Sequence, residues 1–211
     1  MNHLFISMEG PDGSGKSTQA ALLCDYLKEL GYEVLVTREP GGTRISEQIR
    51  DVILDCDNVK MSDMTELLLY TAARAQLVDE QIRPALQQGK VVICDRFIDS
   101  SAVYQGMARG MGTEFVYEMN RHALQGLMPD LTLFLDLSAE EGIRRKNDQK
   151  ELDRMEMQNL EFHNKVAEGY RTLAATYPDR IRQFDATLPV KELSQQLIQC
   201  VSTYLTEERT Q

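Results

Sequence analysis

A chain of 211 residues is long enough to bury one substantial hydrophobic core, so we expect one domain over residues 1–211. Hydrophobic residues make up 42% and charged residues 27%, a balance that is typical of globular proteins and excludes an intrinsically disordered one. The formal net charge of -10 repels polyanions, which argues against a nucleic acid partner. No apolar run approaches the roughly 20 residues that a membrane helix needs, so no membrane partner is expected.

The N-terminal residues and the cysteines predict no secretion, metal site or disulfide. The first nine residues lack the basic start and the cleavage site of a secretory signal, so we expect a cytoplasmic protein. Cys24, Cys56, Cys94 and Cys200 are far apart and form no Cys-x-x-Cys pair. This spacing predicts neither a zinc site nor a disulfide framework, and we expect reduced, mostly buried thiols.

Short apolar stretches alternate with longer stretches of helical character along the chain. Such alternation predicts an α/β fold with helices on both faces of a parallel sheet. Five strands are expected, at residues 3–9, 33–37, 91–95, 131–137 and 180–185. Helices are expected at residues 15–30, 46–54, 64–88, 113–126, 153–177 and 190–205.

A phosphate-binding loop follows the first predicted strand. Residues 10–17 read GPDGSGKS, a full match to G-x-x-x-x-G-K-[ST], and a predicted helix comes next. In this setting, glycines let backbone N–H groups face phosphate oxygens at a helix N-terminus. We expect Lys16 to contact the β- and γ-phosphates and the Ser17 hydroxyl to bind Mg²⁺, whereas a glycine-rich turn without a ligand is the weaker alternative. The predicted nucleotide-binding residues are Gly10, Pro11, Asp12, Gly13, Ser14, Gly15, Lys16, Ser17 and Thr18.

This loop alone does not define a reaction, because GTPases, ATPases and kinases all carry it. A guanine-specific GTPase is expected to contain Asn-Lys-x-Asp. The Asn164-Lys165 pair of this chain is followed by Val-Ala instead. The sequence therefore argues against a GTP switch.

Arginine and carboxylate residues follow two further predicted strands. Arg38-Glu39 ends the second strand and Asp95-Arg96 ends the third. Ligands of open parallel sheets bind at the carboxyl ends of the strands, so both pairs should lie beside the phosphate loop. Either pair alone is equally well explained by solvated loop charges, but the two together favour a second anion site.

Two pairs of residues spaced four apart predict a nucleobase pocket. Tyr70 and Arg74 share one face of a predicted helix, and Ser101 and Gln105 have the same spacing, with Tyr104 beside them. A flat ring can stack on a base, while guanidinium, hydroxyl and amide groups read its edge. Taken alone, Tyr70 is better explained as a core residue, because three leucines precede it.

The segment from residue 138 to residue 154 reads SAEEGIRRKNDQKELDR and is dense in charge. Either a mobile lid over a site or a solvated helix end would have this composition, which by itself favours the helix. The basic residues that a lid would present are Arg144, Arg145, Lys146, Lys150 and Arg154.

Taken in order, these segments resemble the signatures of the bacterial thymidylate kinases, a family of P-loop nucleoside-monophosphate kinases. The likeness rests on residues 10–18, 37–43, 47–50, 95–106, 126–130 and 152–154 and so covers nearly the whole chain. It implies a P-loop NTPase three-layer fold with a lid at residues 138–154. It also implies transfer of the γ-phosphoryl group of ATP to dTMP with Mg²⁺ as cofactor, and a homodimer.

The resemblance implies roles for individual acceptor residues. Tyr70 resembles the aromatic residue that stacks on thymine, Arg74 the arginine that binds its edge, and Tyr104 the tyrosine that crowds the sugar 2′ position. Ser101 and Gln105 resemble the polar residues near the ring nitrogen and carbonyl groups.

Charged residues of the site are also implied by the resemblance. Arg50 and Arg96 resemble the pair that grips the acceptor phosphate, and Asp12 and Glu39 resemble acidic residues near the 3′-hydroxyl, the metal and its waters. Some members, notably eukaryotic ones, carry a basic residue inside the phosphate loop, and this chain does not. The lid should then supply that charge, and we assign the role to Arg145. The expected catalytic residues are Lys16, Arg96, Glu39, Asp12 and Arg145, and the expected metal ligands are Ser17 and Asp95.

Three alternatives to this reaction stay open. A kinase for another monophosphate is the nearest, and a deoxynucleoside kinase is less favoured because it would not need two arginines for an acceptor phosphate. The third is a nucleotide-binding module that transfers no phosphoryl group.

Overall fold

The central sheet consists of parallel strands that are buried between two layers of helices. Its strands are Leu4–Glu9 (β1), Val34–Arg38 (β2), Val91–Asp95 (β3), Leu131–Asp136 (β4) and Ile181–Asp185 (β5). They are arranged in the order β2-β3-β1-β4-β5 in the computed structural model, which describes residues 4–147 and 152–208. The predicted α/β fold with five parallel strands is confirmed, while His3, expected at the start of β1, lies outside the described residues.

The register of the strands determines what meets at the edge of the sheet. Met8 in β1 and Arg38 in β2 both align with Asp95 at the end of β3. Residues that follow these three strands therefore emerge side by side. This is the edge at which parallel α/β sheets bind ligands.

The helices cover both faces of the sheet. Within the described ranges they are α1 (Lys16–Glu29), α2 (Arg44–Leu54), α3 (Asp63–Leu77), α4 (Arg83–Gln87), α5 (Ile98–Ser101), α6 (Thr113–Leu124), α7 (Ala139–Asn147), α8 (Leu160–Thr176) and α9 (Val190–Glu208). Side-chain oxygens cap several of them: Thr43 accepts from Ser46 N, and Ser62 accepts from Thr65 N. None of these helices is apolar over a length that could cross a membrane.

The structure differs from the predicted helix boundaries at two π-helical segments. The helix expected at residues 64–88 runs through α3, a π-helical turn at Val78–Ile82 and α4. A second π-helical segment, Ala102–Ala108, continues α5 and lies outside every helix range expected from the sequence. Such segments change the local residue spacing, which hydrophobic periodicity does not reveal.

The charged segment forms a helix in its first half, as its composition predicts. Helix α7 covers residues 139–147, whereas residues 148–151 lie outside the described part of the chain. Helix α8 begins at Leu160 rather than at residue 153, because Asn159 caps it with a bond from Phe162 N.

Hydrophobic side chains pack on both faces of the sheet. Alternate residues of β1 point to opposite faces, so Ile6 packs with α1 and α9, while Phe5 packs with α3 and α6. All four cysteines are free, and Cys24 and Cys94 are buried as expected. The expectation of mostly buried thiols is wrong for Cys56, which is exposed.

Candidate active site

The phosphate loop joins β1 to α1 and surrounds the ammonium group of Lys16. Lys16 Nζ donates to the carbonyl oxygens of Gly10 (3.0 Å) and Pro11 (2.8 Å) and lies 3.4 Å from Ser14 Oγ. A Cβ atom on Gly10, where φ is 142°, would lie 2.4 Å from the Leu135 carbonyl oxygen, so this turn requires glycine. Burial lowers the pKa of Lys16 to about 8.

A hydroxyl and a carboxylate meet beside this loop. Ser17 lies in the first turn of α1, and its Oγ donates to Asp95 Oδ2 at 2.5 Å. Mg²⁺ in phosphoryl-transfer sites is bound by one or two protein oxygens, and phosphates and waters complete its shell. The pair fits that donor set, whereas the described residues contain no group of three or more His, Cys, Asp and Glu that could hold a metal ion.

A cavity of ≈ 830 Å³ opens at this edge of the sheet. Lys16, Arg50 and Arg96 all line it, so the phosphate loop and the two arginines face one space. The predicted residues that line the cavity are Asp12, Gly13, Gly15, Lys16, Ser17, Thr18, Glu39, Arg50, Tyr70, Arg74, Asp95, Arg96, Ser101, Tyr104, Gln105 and Arg145. Gly10, Pro11 and Ser14, which were also predicted to bind nucleotide, do not line it, because their oxygen atoms face Lys16.

The guanidinium of Arg96 is fixed against the phosphate loop. Its Nη2 donates to Asp12 Oδ1 at 2.7 Å, and its Nη1 donates to Gly10 O at 3.0 Å. Nη1 also donates to Tyr170 OH (3.2 Å) and Ser100 Oγ (3.3 Å). The backbone of Arg96 has φ of 70°, a left-handed conformation that a residue with a side chain rarely adopts. An unfavourable backbone conformation at a cavity wall is typical of a functional position.

The same arginine controls the charge of Asp12. Burial by itself would raise the pKa of this carboxyl group, but the positive charges of Arg96 and Lys16 hold the pKa well below its usual range. Tyr104 lies alongside, with its ring centroid 5.3 Å from the Arg96 guanidinium and its hydroxyl 3.4 Å from Asp12 Oδ2. Asp12 is therefore a carboxylate at neutral pH and unsuited to act as a base.

Arg74 also lines the cavity, and it is 1% exposed. Its Nε donates to Glu39 Oε2 at 2.7 Å, and its Nη1 donates to Asn120 Oδ1 at 2.6 Å. Nη2 donates to Ser101 Oγ (2.9 Å) and Phe97 O (3.3 Å). Because every nitrogen has a protein partner, the orientation of this guanidinium is set before any ligand binds.

Glu39 has one oxygen paired with Arg74 and one that is unpaired. Its Oε1 is buried and accepts no hydrogen bond from the described residues. Burial raises the pKa of Glu39 to about 7 even though Arg74 opposes the change. A buried acceptor without a partner is unfavourable, so a donor on a bound ligand would be stabilising here.

Tyr70 and Gln105 complete the wall next to Arg74. Tyr70 is half-buried on α3 and lines the cavity outside the hydrophobic clusters, so its explanation as a core residue is wrong. Gln105 is buried and donates from Nε2 to Glu66 Oε1 at 2.9 Å. Across the cavity, Arg50 donates from Nη1 to Pro40 O at 2.9 Å.

The sequence model of the thymidylate kinase family matches residues 8–197. The chain belongs to the thymidylate kinase family. A thymidylate kinase of Clostridium novyi is 51% identical over 195 residues, which cover 92% of this chain and 95% of that protein. A thymidylate kinase of Caldanaerobacter subterraneus is 48% identical over 205 residues, covering 97% of this chain and 98% of the relative.

A solved structure gives the same result for the fold of this thymidylate kinase family member. The crystal structure of a thymidylate kinase from Ehrlichia chaffeensis has a TM-score of 0.78 and 31% sequence identity to it. The alignment covers 95% of this chain and 99% of the other. The resemblance to the family and the P-loop NTPase fold are therefore both confirmed.

The basic residues of the charged segment do not all face the cavity. Arg144, Arg145 and Lys146 line it, and Lys150 lies outside the described residues. Arg145 reaches the phosphate loop, where its Nη1 donates to Gly13 O at 3.2 Å. Lys146 Nζ forms an ion pair with Glu156 Oε1 at 2.6 Å.

Arg154 does not take part in this cluster, although the sequence offered it as a lid cation. Its Nε donates to Ile53 O at 2.7 Å, and its Nη2 pairs with the buried carboxylate of Glu66 at 2.7 Å. Arg154 is buried and outside the cavity lining, because the Glu66 charge lies on the protein side of the wall.

Several residues that organise this thymidylate kinase site were missed in the sequence. Asn120 had a detectable signal, because it interrupts an apolar stripe of α6 at a spacing of four from Val116 and Leu124. Glu66 is likewise a charge on the inner face of α3. Their partners are distant in sequence, so only the fold shows what these polar residues bind.

Proposed function

We propose that this protein transfers the γ-phosphoryl group of ATP to dTMP, giving dTDP and ADP for dTTP synthesis. Membership of the thymidylate kinase family over residues 8–197 supports the reaction. The structural observation that carries the proposal is the single cavity lined by Lys16, Arg50 and Arg96. A nucleotide on the phosphate loop and a monophosphate between the arginines would meet there.

On the donor side, the backbone of the phosphate loop would bind the ATP phosphates at the N-terminus of α1. Lys16 would donate to the β- and γ-phosphates from its position over the loop. Ser17 and Asp95 would hold Mg²⁺, which when bound neutralises part of the triphosphate charge. Arg145, anchored at Gly13 O, would approach the γ-phosphate from the side of α7.

On the acceptor side, Arg50 and Arg96 would bind the phosphate of dTMP through their planar guanidinium groups. The unpaired Oε1 of Glu39 would accept a hydrogen bond from the deoxyribose 3′-hydroxyl. Tyr104 would occupy the space next to the sugar 2′ carbon, which favours deoxyribose over ribose. Asp12 would hold Arg96 in place through its 2.7 Å bond and would order water near the metal.

Recognition of thymine would depend on the opposite wall. Tyr70 would stack on the ring, and Arg74 would bind a carbonyl group at its edge. Ser101 and Gln105 would lie near the ring nitrogen and the other polar atoms.

The mechanism needs charge stabilisation rather than a base. A phosphate monoester has a second pKa near ~6, so the acceptor is already mostly a dianion at neutral pH. Transfer passes through a loose in-line transition state with spread negative charge. Lys16, Arg96 and Arg145 would stabilise that charge, and α7 would limit access of water that would hydrolyse ATP.

An ADP-release assay with a panel of acceptors tests the proposal. The wild-type protein with ATP and Mg²⁺ should turn over fastest with dTMP among dTMP, dUMP, dCMP, dAMP, dGMP and thymidine. Faster turnover with another monophosphate would change the substrate, and preference for thymidine would favour a deoxynucleoside kinase. Nucleotide binding without ADP release for any acceptor would favour a module without transfer.

We also propose a homodimer that uses the outer faces of α3 and α6. Leu68 on α3 and Phe115 on α6 are exposed in the chain by itself, and large exposed apolar side chains favour association. Sedimentation of the wild type should show a dimer that Leu68→Glu converts to a monomer. The cytoplasmic location, the single-domain organisation and the lid at residues 138–154 remain predictions.

A further inference from the structure

We propose that Glu9 is a positioning residue that holds Arg96 in its acceptor-binding geometry through Ser100, Tyr170 and the backbone of Phe97. The inference rests on the proposed function and adds to it a residue that does not itself line the cavity. Glu9 is the last residue of β1 and is 0% exposed. A buried carboxylate that ends an apolar strand is unfavourable unless its oxygens are paired, so its partners indicate its role.

Both oxygens of Glu9 bind groups that adjoin Arg96. Oε1 accepts from Phe97 N at 2.7 Å, and Oε2 accepts from Ser100 Oγ at 2.6 Å and from Tyr170 OH at 3.1 Å. These partners come from the loop after β3, from α5 and from α8. One carboxylate thus connects β1 with three elements that surround the guanidinium.

The two hydroxyl groups form the link between Glu9 and the guanidinium. Ser100 Oγ and Tyr170 OH each accept a hydrogen bond from Arg96 Nη1, at 3.3 Å and 3.2 Å. The same two oxygens lie 2.7 Å apart. Glu9 accepts hydroxyl hydrogens, so the hydroxyl lone pairs remain free to face the cation. Removal of this acceptor would let a hydroxyl hydrogen turn toward Arg96.

The hydrogen bond from Phe97 N to Glu9 acts directly on the backbone at Arg96. Phe97 N belongs to the peptide group that follows Arg96, the residue with φ of 70°. Such a conformation persists only where neighbouring contacts hold it. The bond from Phe97 N to Glu9 is one of these contacts, and it directs the Arg96 side chain back over the phosphate loop.

A simpler explanation is that Glu9 only joins four elements of the fold. A purely structural residue would lower stability when it is changed, but its effect on catalysis would not depend on Arg96. A residue that acts through Arg96 would lose its catalytic effect once Arg96 is absent. The two explanations therefore differ in how the substitutions combine.

The first test is Glu9→Gln, which keeps the shape of the side chain and replaces one acceptor oxygen with a donor. Burial, followed by the nearby charge of Asp99, raises the pKa of Glu9 to about 7, so the assay is run at pH 8 to keep the wild-type carboxylate ionised. We expect kcat/KM for dTMP to fall about tenfold and KM for ATP to stay within about twofold. Unchanged kcat/KM in folded E9Q would overturn the inference.

The matched control is Asp130→Asn, just before β4, because its carboxylate binds the opposite end of β1 from Glu9. Asp130 Oδ2 accepts a hydrogen bond from Phe5 N at 2.8 Å, so the substitution also removes a charge bound to a backbone N–H group. It has no contact with Arg96. We expect D130N to lower the melting temperature, because a hydrogen bond to Phe5 N is weakened. We expect kcat/KM for dTMP to stay within about twofold, because the change lies at the end of β1 that is away from Arg96.

The decisive experiment is a double-mutant cycle with Arg96→Ala. In the R96A background, Glu9→Gln should reduce kcat/KM by less than about twofold, compared with about tenfold in the wild-type background. Equal losses in both backgrounds would make Glu9 a structural residue and overturn the inference. If E9Q does not fold, Tyr170→Phe in the same cycle removes one hydroxyl link while Glu9 and Arg96 remain, and the same criterion applies.

Failure of this inference can be told apart from failure of the proposed function. A wild-type protein that releases no ADP with dTMP overturns both. A wild type that is active with dTMP and an additive cycle overturn the role of Glu9 and leave the kinase activity in place.

Discussion

The two sides of the cavity are built in different ways. The proposed donor side comes from one continuous stretch of the chain at the start of α1, where Asp12, Gly13 and the residues 15–18 line the cavity. The acceptor side is assembled from side chains of β2, α2, α3 and the residues after β3. A site made from backbone can be recognised as a local motif, whereas a site made from dispersed side chains depends on the fold that brings them together.

The acceptor side also differs in how its cations are held. Arg74 and Arg96 are bound by protein oxygens through all or most of their nitrogens. Much of the ordering and desolvation of these side chains therefore accompanies folding rather than ligand binding. We therefore expect the proposed acceptor pocket to be sensitive to changes in residues behind the arginines as well as in the arginines themselves.

The strongest test of the donor side is Lys16→Ala. We expect kcat to fall by about a thousandfold or more with an unchanged fold, since the loop loses its charge on the β- and γ-phosphates. ADP release and circular dichroism measure the two effects. Lys165→Ala, which removes an exposed lysine paired with Glu161, is the matched control. Full activity in K16A would mean that the loop does not bind the donor phosphates.

The equivalent test of the acceptor side is Arg96→Ala, for which we expect at least about a hundredfold loss of kcat. Arg96→Lys should recover only part of it, because an ammonium group cannot bind a phosphate through two parallel N–H groups. Arg121→Ala removes an exposed arginine that pairs with Glu118 and serves as the control. Near-normal steady-state rates in R96A would remove Arg96 from the site.

A smaller loss of activity is expected from Asn120→Ala, because Asn120 supports Arg74 from behind. Arg74 Nη1 would lose the acceptor that lies 2.6 Å away, so the guanidinium would be held less firmly in the orientation proposed for binding thymine. We expect KM for dTMP to rise about fivefold to tenfold while kcat changes by less than about twofold. Asn58→Ala changes a half-buried asparagine that donates to Val52 O outside the cavity lining, and it should leave both constants unchanged. An unchanged KM in N120A would show that Arg74 does not need this support.

The smallest effect concerns pH and Glu39. Its pKa is raised to about 7 in the folded protein, so between its ordinary value of 4.5 and about 7 the folded state binds the proton more tightly than the unfolded chain. This contribution to stability is complete at low pH and is lost as the pH rises through that window. Glutamine does not titrate, so the melting temperature of E39Q relative to wild type should rise from pH 5 to pH 8. A difference that is constant with pH would contradict the raised pKa.

The sequence predicted most of the scaffold because its signals are local. Buried parallel strands appear as short apolar runs, and β3 has the bounds predicted for it, Val91–Asp95. The phosphate loop was predictable for the same reason, since one motif contains both its turns and its lysine. The π-helical segment Ala102–Ala108 was not, because its backbone spacing depends on packing against α6 and α8.

The candidate site was predicted where residues follow strands or share a helix face, but not where burial decides the partner. Arg154 was grouped with the lid cations on composition, yet the buried charge of Glu66 holds it away from the cavity. Asn120 and Glu9 bind partners that are distant in the sequence. Asn120 and Arg74, for example, are 46 residues apart. Sequence spacing within one helix contains no information about such pairs.

The carboxylate of Glu66 binds Gln105 in the cavity wall and Arg154 at the end of the charged segment. Detaching Arg154 would leave a buried negative charge without one of its cations, which is strongly destabilising. The C-terminal end of the charged segment is therefore held by the same carboxylate that binds Gln105 in the cavity wall. We therefore expect a substitution at Glu66 to disturb two places at once, the wall that we propose for thymine and the end of the segment that we propose as a lid.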